Sequence, residues 1–163
     1  VREKRAREWI ATVGLTGFED AFPHQLSGGM RKRVSLASML VASPDIILMD
    51  EPFSALDVQT RSLMENELMA IWQRERKTVL FVTHDLEEAI ALSDKVIVLS
   101  ARPTRVKAVC MIDLPRPRNV LDIRSDKNFH GYYTQLWEQM RDEVVSGYNQ
   151  ERLAVGMQPS DNQ

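Results

Sequence analysis

The sequence predicts an α/β protein built on a parallel sheet with crossover helices. Two observations carry that expectation. Three short apolar runs, residues 45–50 (DIILMD), 78–83 (TVLFVT) and 95–100 (KVIVLS), read as strands. Segments of helical period separate them, giving the order strand, helix, strand, helix, strand.

The elements follow in order. Ala6, Trp9, Ile10 and Val13 recur at i, i+3, i+4 and i+7, so residues 3–13 form an amphipathic helix stopped by Gly14. A loop with Gly17 and Pro23 leads to Ser27-Gly28-Gly29. A second helix starts there and runs to about residue 41, with Met30, Val34, Ala37 and Val41 on one face and Pro44 ending it. The run at 45–50 is continuous in apolar residues, which predicts a strand buried on both faces. A third helix covers 58–76, with Met64, Leu68, Ile71 and Trp72 inward. Strand 78–83, a short helix at 85–92 and strand 95–100 come next, then an antiparallel edge strand at 105–114. The two prolines of Leu114-Pro115-Arg116-Pro117-Arg118 forbid a helix interior and predict an extended linker. A last helix runs from about 125 to 146 with Phe129, Tyr133, Leu136, Met140 and Val144 as its apolar stripe, and residues 158–163 read as a polar, disordered tail.

Composition narrows the function. With 163 residues, 44% hydrophobic and 27% charged, the chain is about one ordinary globular domain. Lys plus Arg number 21 against 23 acids, so a nucleic-acid binder resting on bulk positive charge is not supported. The apolar runs last a few residues, far short of the ~20 that a membrane-spanning helix needs. No secretory signal stands at the start. A single cysteine, Cys110, allows no internal disulfide and fits a reducing compartment. Val1 opens directly into a charged helical stretch without a cap, which reads as a chain beginning within an element.

Three features carry chemistry. Asp50-Glu51 closes a strand, and open parallel sheets bind ligands at the carboxyl ends of their strands. One acid of such a pair can hold Mg²⁺, which keeps several waters and few protein ligands. The other can orient or deprotonate a water. Alone, the pair is equally a solvated strand end. His84 follows the second strand at the same edge and could donate to a phosphate oxygen. Alone, it reads as a loop or helix-capping residue. Leu26-Ser27-Gly28-Gly29-Met30 opens a helix with small residues, which leaves free N–H groups and the positive dipole end for an anion. Alone, it is a Ser N-cap with glycines. His24 and His130 have no such position.

Together these motifs, with Ser54-Ala55-Leu56-Asp57 between them, resemble the nucleotide-binding subunits of ABC transporters. LSGGM is similar to the signature, IILMDEP to the Walker B strand, SALD to the D-loop and His84 to the switch histidine. The stretch FEDAFPHQLSGGMRKRV resembles importer ATPases. Ala101-Arg102-Pro103, LPRPR and HGYYTQLWEQMRDEV resemble the nitrate, sulfonate and taurine importer branch. Met30 stands where many members have Gln, and Ser38 where Arg is common. The resemblance implies a P-loop NTPase-type parallel-sheet core, truncated at the N-terminus, with a C-terminal helix. It divides the chain into a domain remnant at 1–113, a linker and helix at 114–150 and a tail at 151–163. It implies Asp50 for Mg²⁺, Glu51 as the base for water and His84 at the γ-phosphate of ATP. Ser27, Gly28 and Gly29 would close over a partner's nucleotide, and Ser54 and Asp57 would line the dimer interface. The implied partners are a second nucleotide-binding subunit arranged head to tail, transmembrane permease subunits and a substrate-binding protein, with no nucleic acid. The implied location is peripheral, on the cytoplasmic face of the bacterial inner membrane.

The pattern G-x-x-x-x-G-K-[ST], which cradles phosphates, is absent: no two of the seven glycines are five apart and none precedes a Lys. The isolated chain is therefore expected neither to bind ATP tightly nor to hydrolyse it. With part of the sheet missing, sheet faces should be exposed and the isolated chain marginal and prone to aggregate. Two alternatives stand beside the importer reading. One is a truncated, non-catalytic subunit that pairs with an intact one. The other is a chromosome-maintenance or DNA-repair ATPase of the same fold, which the lack of a heptad run before the signature disfavours.

Overall fold

The structure is a computed structural model that describes residues 2–54 and 56–154, with side chains through Arg141. Its elements in chain order are α1 (Arg2–Thr12), a 3-10 turn (Pro23–Gln25), α2 (Gly28–Val41), β1 (Ile46–Asp50), α3 (Val58–Glu75), β2 (Thr78–Val82), α4 (Leu86–Leu92), β3 (Lys95–Leu99), β4 (Val106–Met111), α5 (Val120–Ile123) and α6 (Lys127–Ala154). The chain divides into two compact units, one ending at Val82 and one beginning at Thr83.

In the first unit β1 and β2 pair in parallel, from Ile46 opposite Thr78 to Asp50 opposite Val82. Parallel pairing needs a crossover, and α3 supplies it. Ile47 and Met49 are buried, as a strand's two-residue period requires of one face. The other face is Ile46, Leu48, Leu80 and Val82, and it is exposed. The expectation of burial on both faces therefore fails: no described residue covers that side. Helix α1 packs on α2. Gly14, at φ +71, turns the chain out of α1, a left-handed position that glycine takes without steric cost. In α2 the buried residues are Leu36, Ala37 and Leu40, rather than the predicted face of Met30, Val34 and Val41. Both faces fit a 3.6-residue period, and the buried one is the face on which Leu36 and Leu40 supply two large apolar side chains. Met64, Leu68 and Ile71 of α3 are buried as expected, joined by Met69 and by Glu65. Trp9 lies beneath the Arg74 guanidinium at 5.1 Å, a cation–π contact between α1 and α3.

In the second unit β3 and β4 form an antiparallel pair, with an irregularity between Val98 and Leu99. Among the described residues β3 has no other strand partner, so the sheets are two separate pairs. Val98 and Cys110 face inward, while Ile97, Leu99, Val106, Val109 and Met111 are exposed. Burial pushes the Cys110 thiol pKa up from its ordinary value. Helix α6 packs against α4, β3 and β4, burying Phe129 and Leu136, and the Tyr132 hydroxyl accepts from the Asp113 N–H at 3.0 Å. The helix extends past the expected end at 146 to Ala154. The Val144 side chain and the predicted tail at 158–163 lie outside the described residues.

The LPRPR segment is not helical, as its prolines require, but it bends at Arg116 and Pro117 rather than running extended, and it is no solvated linker. Arg118 is buried, and its side chain caps carbonyl oxygens at the end of α4. Burial, and then the neighbouring Arg116 charge, pull its pKa below the ordinary arginine value.

Candidate functional site

The signature segment is held as its composition predicts. Ser27 is the N-cap of α2, and its hydroxyl accepts from the Met30 N–H at 3.2 Å. The cap satisfies one of the helix's orphan donors and leaves the others facing outward. Arg31 anchors the preceding residue by donating to the Leu26 carbonyl at 2.6 Å.

Neither Gly28 nor Gly29 is needed by the fold. Among the described glycines only Gly14 and Gly17 have positive φ. A Cβ on Gly28 would meet nothing within 4 Å, and one on Gly29 would make an ordinary 3.6 Å contact with the Thr60 methyl. What two glycines provide here is close access to the N–H groups at a helix start. The Gly29–Thr60 approach also brings the first turns of α2 and α3 side by side.

Helix α3 is capped by Asp57, whose carboxylate accepts from the Thr60 N–H at 3.0 Å. That bond, followed by one from the Thr60 hydroxyl, holds the Asp57 pKa below the usual carboxylate range. Asp57 is exposed and ionised, and occupied by its own helix.

Asp50 and Glu51 are exposed at the carboxyl end of β1. The Glu51 N–H donates to the Val82 carbonyl at 2.9 Å, which extends the β1–β2 ladder by one bond. Glu51 then takes φ +42, a left-handed conformation that costs a non-glycine residue free energy and concentrates at functional sites. The turn is fixed by Ser54, whose hydroxyl donates to the Glu51 carbonyl at 3.0 Å. Adjacent residues on a strand point to opposite faces, and the turn at Glu51 breaks that alternation. The donor set suits Mg²⁺ of the kind that takes one or two carboxylates and completes its shell with phosphate and water. Among the described residues no group of three or more His, Cys, Asp or Glu forms a protein cage for a metal.

His84 is exposed in the second unit, two residues beyond β2. Its neighbours are both tied down. The Thr83 hydroxyl donates to the buried Glu88 carboxylate at 2.7 Å and accepts from the Asp85 N–H at 3.0 Å. The Asp85 carboxylate caps α4 at the N–H groups of Glu87 and Glu88. Thus Ser27, Gly28, Gly29, Asp50, Glu51, Ser54 and Asp57 belong to the first unit and His84 to the second. A hollow of about 330 Å³ in the first unit, bordered by Arg5, Trp9, Ser43 and Arg74 among others, is lined by none of them.

Three supports escaped the motif reading. Thr60 donates its N–H to Asp57, and its methyl lies beside Gly29. Arg33 of α2 pairs with Glu67 of α3 at 2.9 Å. Arg118 holds the far end of α4. The Arg33–Glu67 pair is long-range and has no local signal.

The fold is of the α/β class, and the comparisons make the family plain. The family model described as ABC transporter matches residues 1–54, which include the signature and the Asp50-Glu51 turn. This chain belongs to the ABC transporter ATP-binding proteins. The uncharacterised ABC transporter ATP-binding protein MJ0412 of Methanocaldococcus jannaschii is 53% identical over 140 residues, 86% of this chain and 51% of its own length. The aliphatic sulfonates import ATP-binding protein SsuB of Bacillus cereus is 44% identical over 115 residues, 71% of this chain and 46% of its own. The chain thus spans about half the length of the curated relatives it matches. Among solved structures, cbiO1 of Clostridium perfringens, part of the ABC transporter complex cbiONQ, aligns with a TM-score of 0.58 at 24% identity, covering 94% of this chain and 51% of that one. MJ1267, an ATP-binding cassette of an ABC transporter, aligns with a TM-score of 0.60 at 21% identity, covering 80% of this chain and 49% of that one. At those identities the two structures support the fold alone.

Proposed function

We propose that the chain carries the signature, the water-activating acid and the switch histidine of an ATP-hydrolysing subunit that drives import of a small anion of the sulfonate, taurine or nitrate kind. The observation that carries the nucleotide reading is the pair of glycines at the start of α2, which neither backbone conformation nor packing demands. The sulfonate importer relative supports the substrate class. Ser27, Gly28 and Gly29 close over a nucleotide held by a second subunit, through N–H groups and the helix dipole. Asp50 holds Mg²⁺, which neutralises phosphate charge when bound. Glu51 accepts the proton of the attacking water. His84 donates to the γ-phosphate, and Ser54 and Asp57 lie at the interface between the two subunits. The subunit works beside permease subunits and a substrate-binding protein, peripheral to the membrane. No described helix is long and apolar enough to cross a bilayer.

The 163 residues contain no phosphate-cradling Lys loop, and without one most phosphate binding energy is missing. The chain by itself should therefore turn over no ATP. Joined to the unmatched half of MJ0412, it should hydrolyse ATP. In that protein Glu51→Gln should lower kcat by about 10²-fold or more while ATP binding persists. Unchanged turnover would remove Glu51 as the base. Robust turnover by the 163-residue chain alone would remove the requirement for a separate cradle.

A further inference from the structure

Helix α4 has seven residues, Leu86–Leu92, too few to be stable without outside support. Its N-terminal end is capped by Asp85. Its C-terminal carbonyls, orphaned as at every helix end, meet two arginines from the LPRPR segment. The Arg118 Nη1 donates to the carbonyls of Ile90 at 3.4 Å, Ala91 at 3.3 Å and Ser93 at 2.6 Å. Its Nη2 donates to Ile112 and Leu114, both at 3.1 Å, so one guanidinium ties the helix end to the chain leaving β4. Arg116 adds a bond to the Leu92 carbonyl at 3.2 Å and an ion pair with Asp94 at 2.7 Å. A cation at a helix C-terminus also matches the dipole.

The other end of the same helix holds His84. Glu88, on the first turn of α4, accepts from the Thr83 hydroxyl, and that hydroxyl accepts from the Asp85 N–H. The residues on both sides of His84 are therefore bound to α4.

We propose that Arg118, assisted by Arg116, is a positioning residue for His84: the two clamp the C-terminal end of α4, and α4 fixes the Thr83–Asp85 loop. A buried guanidinium aimed at main-chain carbonyls is a costly way to fill space, since an apolar side chain would bury more simply. Its planar fork of five donors reaches several carbonyls at once, which a single ammonium does not. That the placement of His84 matters for a phosphate rests on the reading under Proposed function. The placement itself does not.

The test uses the isotope-labelled 163-residue chain without nucleotide, comparing Arg118→Met with the parent. The histidine ring signals, the amide exchange of α4 and the thermal midpoint are followed together. The expected result is a displaced His84 ring signal and α4 amides exchanging about tenfold faster or more. The His24 ring and the α2 amides, in the first unit, should be unchanged. A lowered midpoint with His84 and α4 unmoved overturns the clamp and leaves Arg118 a stability residue. Equal changes in both units overturn it too, as a general loosening. If Arg118→Met does not fold, Arg118→Lys and Asp94→Asn carry the same test, with smaller shifts in the same direction. An unmoved His84 in both then overturns the proposal. Because nothing here depends on turnover, a failed Glu51→Gln experiment leaves the clamp standing, and a failed clamp leaves the base assignment standing.

Discussion

At the scale of single residues, the candidate site separates side chains that the fold needs from those it does not. Ser27 and Gly29 are neighbours in one turn with opposite standing. Ser27→Ala removes a cap and should cost about 1 kcal/mol, or about 2–4 °C in the thermal midpoint of a chain this size. Gly29→Ala places a methyl at ordinary contact distance from Thr60 and should hold or raise the midpoint, by up to about 1 kcal/mol of helix propensity. In a nucleotide-loaded pair of subunits the same methyl would stand over the N–H groups that close on phosphate, so ATP-dependent association should fall. Calorimetry on the single chain and sedimentation of the pair read the two effects apart. A Gly29→Ala chain that melts well below the parent would show that the glycine serves the fold after all.

At the scale of elements, α2 and α3 are joined by Arg33 and Glu67, and the pair has a predictable pH signature. Burial raises the Glu67 pKa, and Arg33 offsets only part of that. The folded chain therefore keeps the Glu67 proton to higher pH than the unfolded chain does. Stability from this group is full below the ordinary glutamate pKa and is lost as pH rises to the raised folded value. Glu67→Gln mimics the protonated form and should flatten that slope. Midpoints measured from about pH 3 to about pH 8 should converge for the two chains at the acid end and separate above the glutamate range, with the variant higher. A variant that is lower throughout would show the Arg33 attraction outweighing burial.

The elements also show how much of the molecule was legible in its sequence. Most helices and strands fall where period and breakers place them, because Gly14, Pro44, Asp57 and Asp85 act on their own neighbours, but the one-turn α5 had no such period and α6 runs past its expected end. The motif residues were readable for the same reason, each lying at the start or end of an element. Local pattern does not settle which face of an element another will cover. Leu36 and Leu40 rather than Met30 and Val34 became the buried face of α2. Nor does it supply pairing between distant segments: β3 pairs with β4 alone among the described strands rather than with a parallel partner, and Arg33 with Glu67 and Arg118 with α4 needed the folded chain.

At the scale of the whole molecule, each unit carries an apolar sheet face open to solvent. In the first it is Ile46, Leu48, Leu80 and Val82; in the second it is Ile97, Leu99, Val106, Val109 and Met111. Leu48 and Leu80 are directly opposite in the β1–β2 register and are 69% and 57% exposed. Ile97 and Val109 are opposite in the β3–β4 register. Apolar cross-strand pairs of this kind, left wet, favour association and attract hydrophobic dyes. The 163-residue chain should therefore bind an anilinonaphthalene dye at neutral pH and sediment as concentration-dependent oligomers. Threonine keeps the β-branched shape that a strand accepts while replacing an alkyl branch with a hydroxyl, so Ile97→Thr with Val109→Thr should spare the β3–β4 pair. The double variant should lose part of the dye signal and shift toward monomer without losing far-UV ellipticity. Adding Leu48→Thr and Leu80→Thr should remove a further part, since that face is also apolar and exposed. A parent chain that sediments as a dye-free monomer across the concentration range would mean these faces are covered in solution.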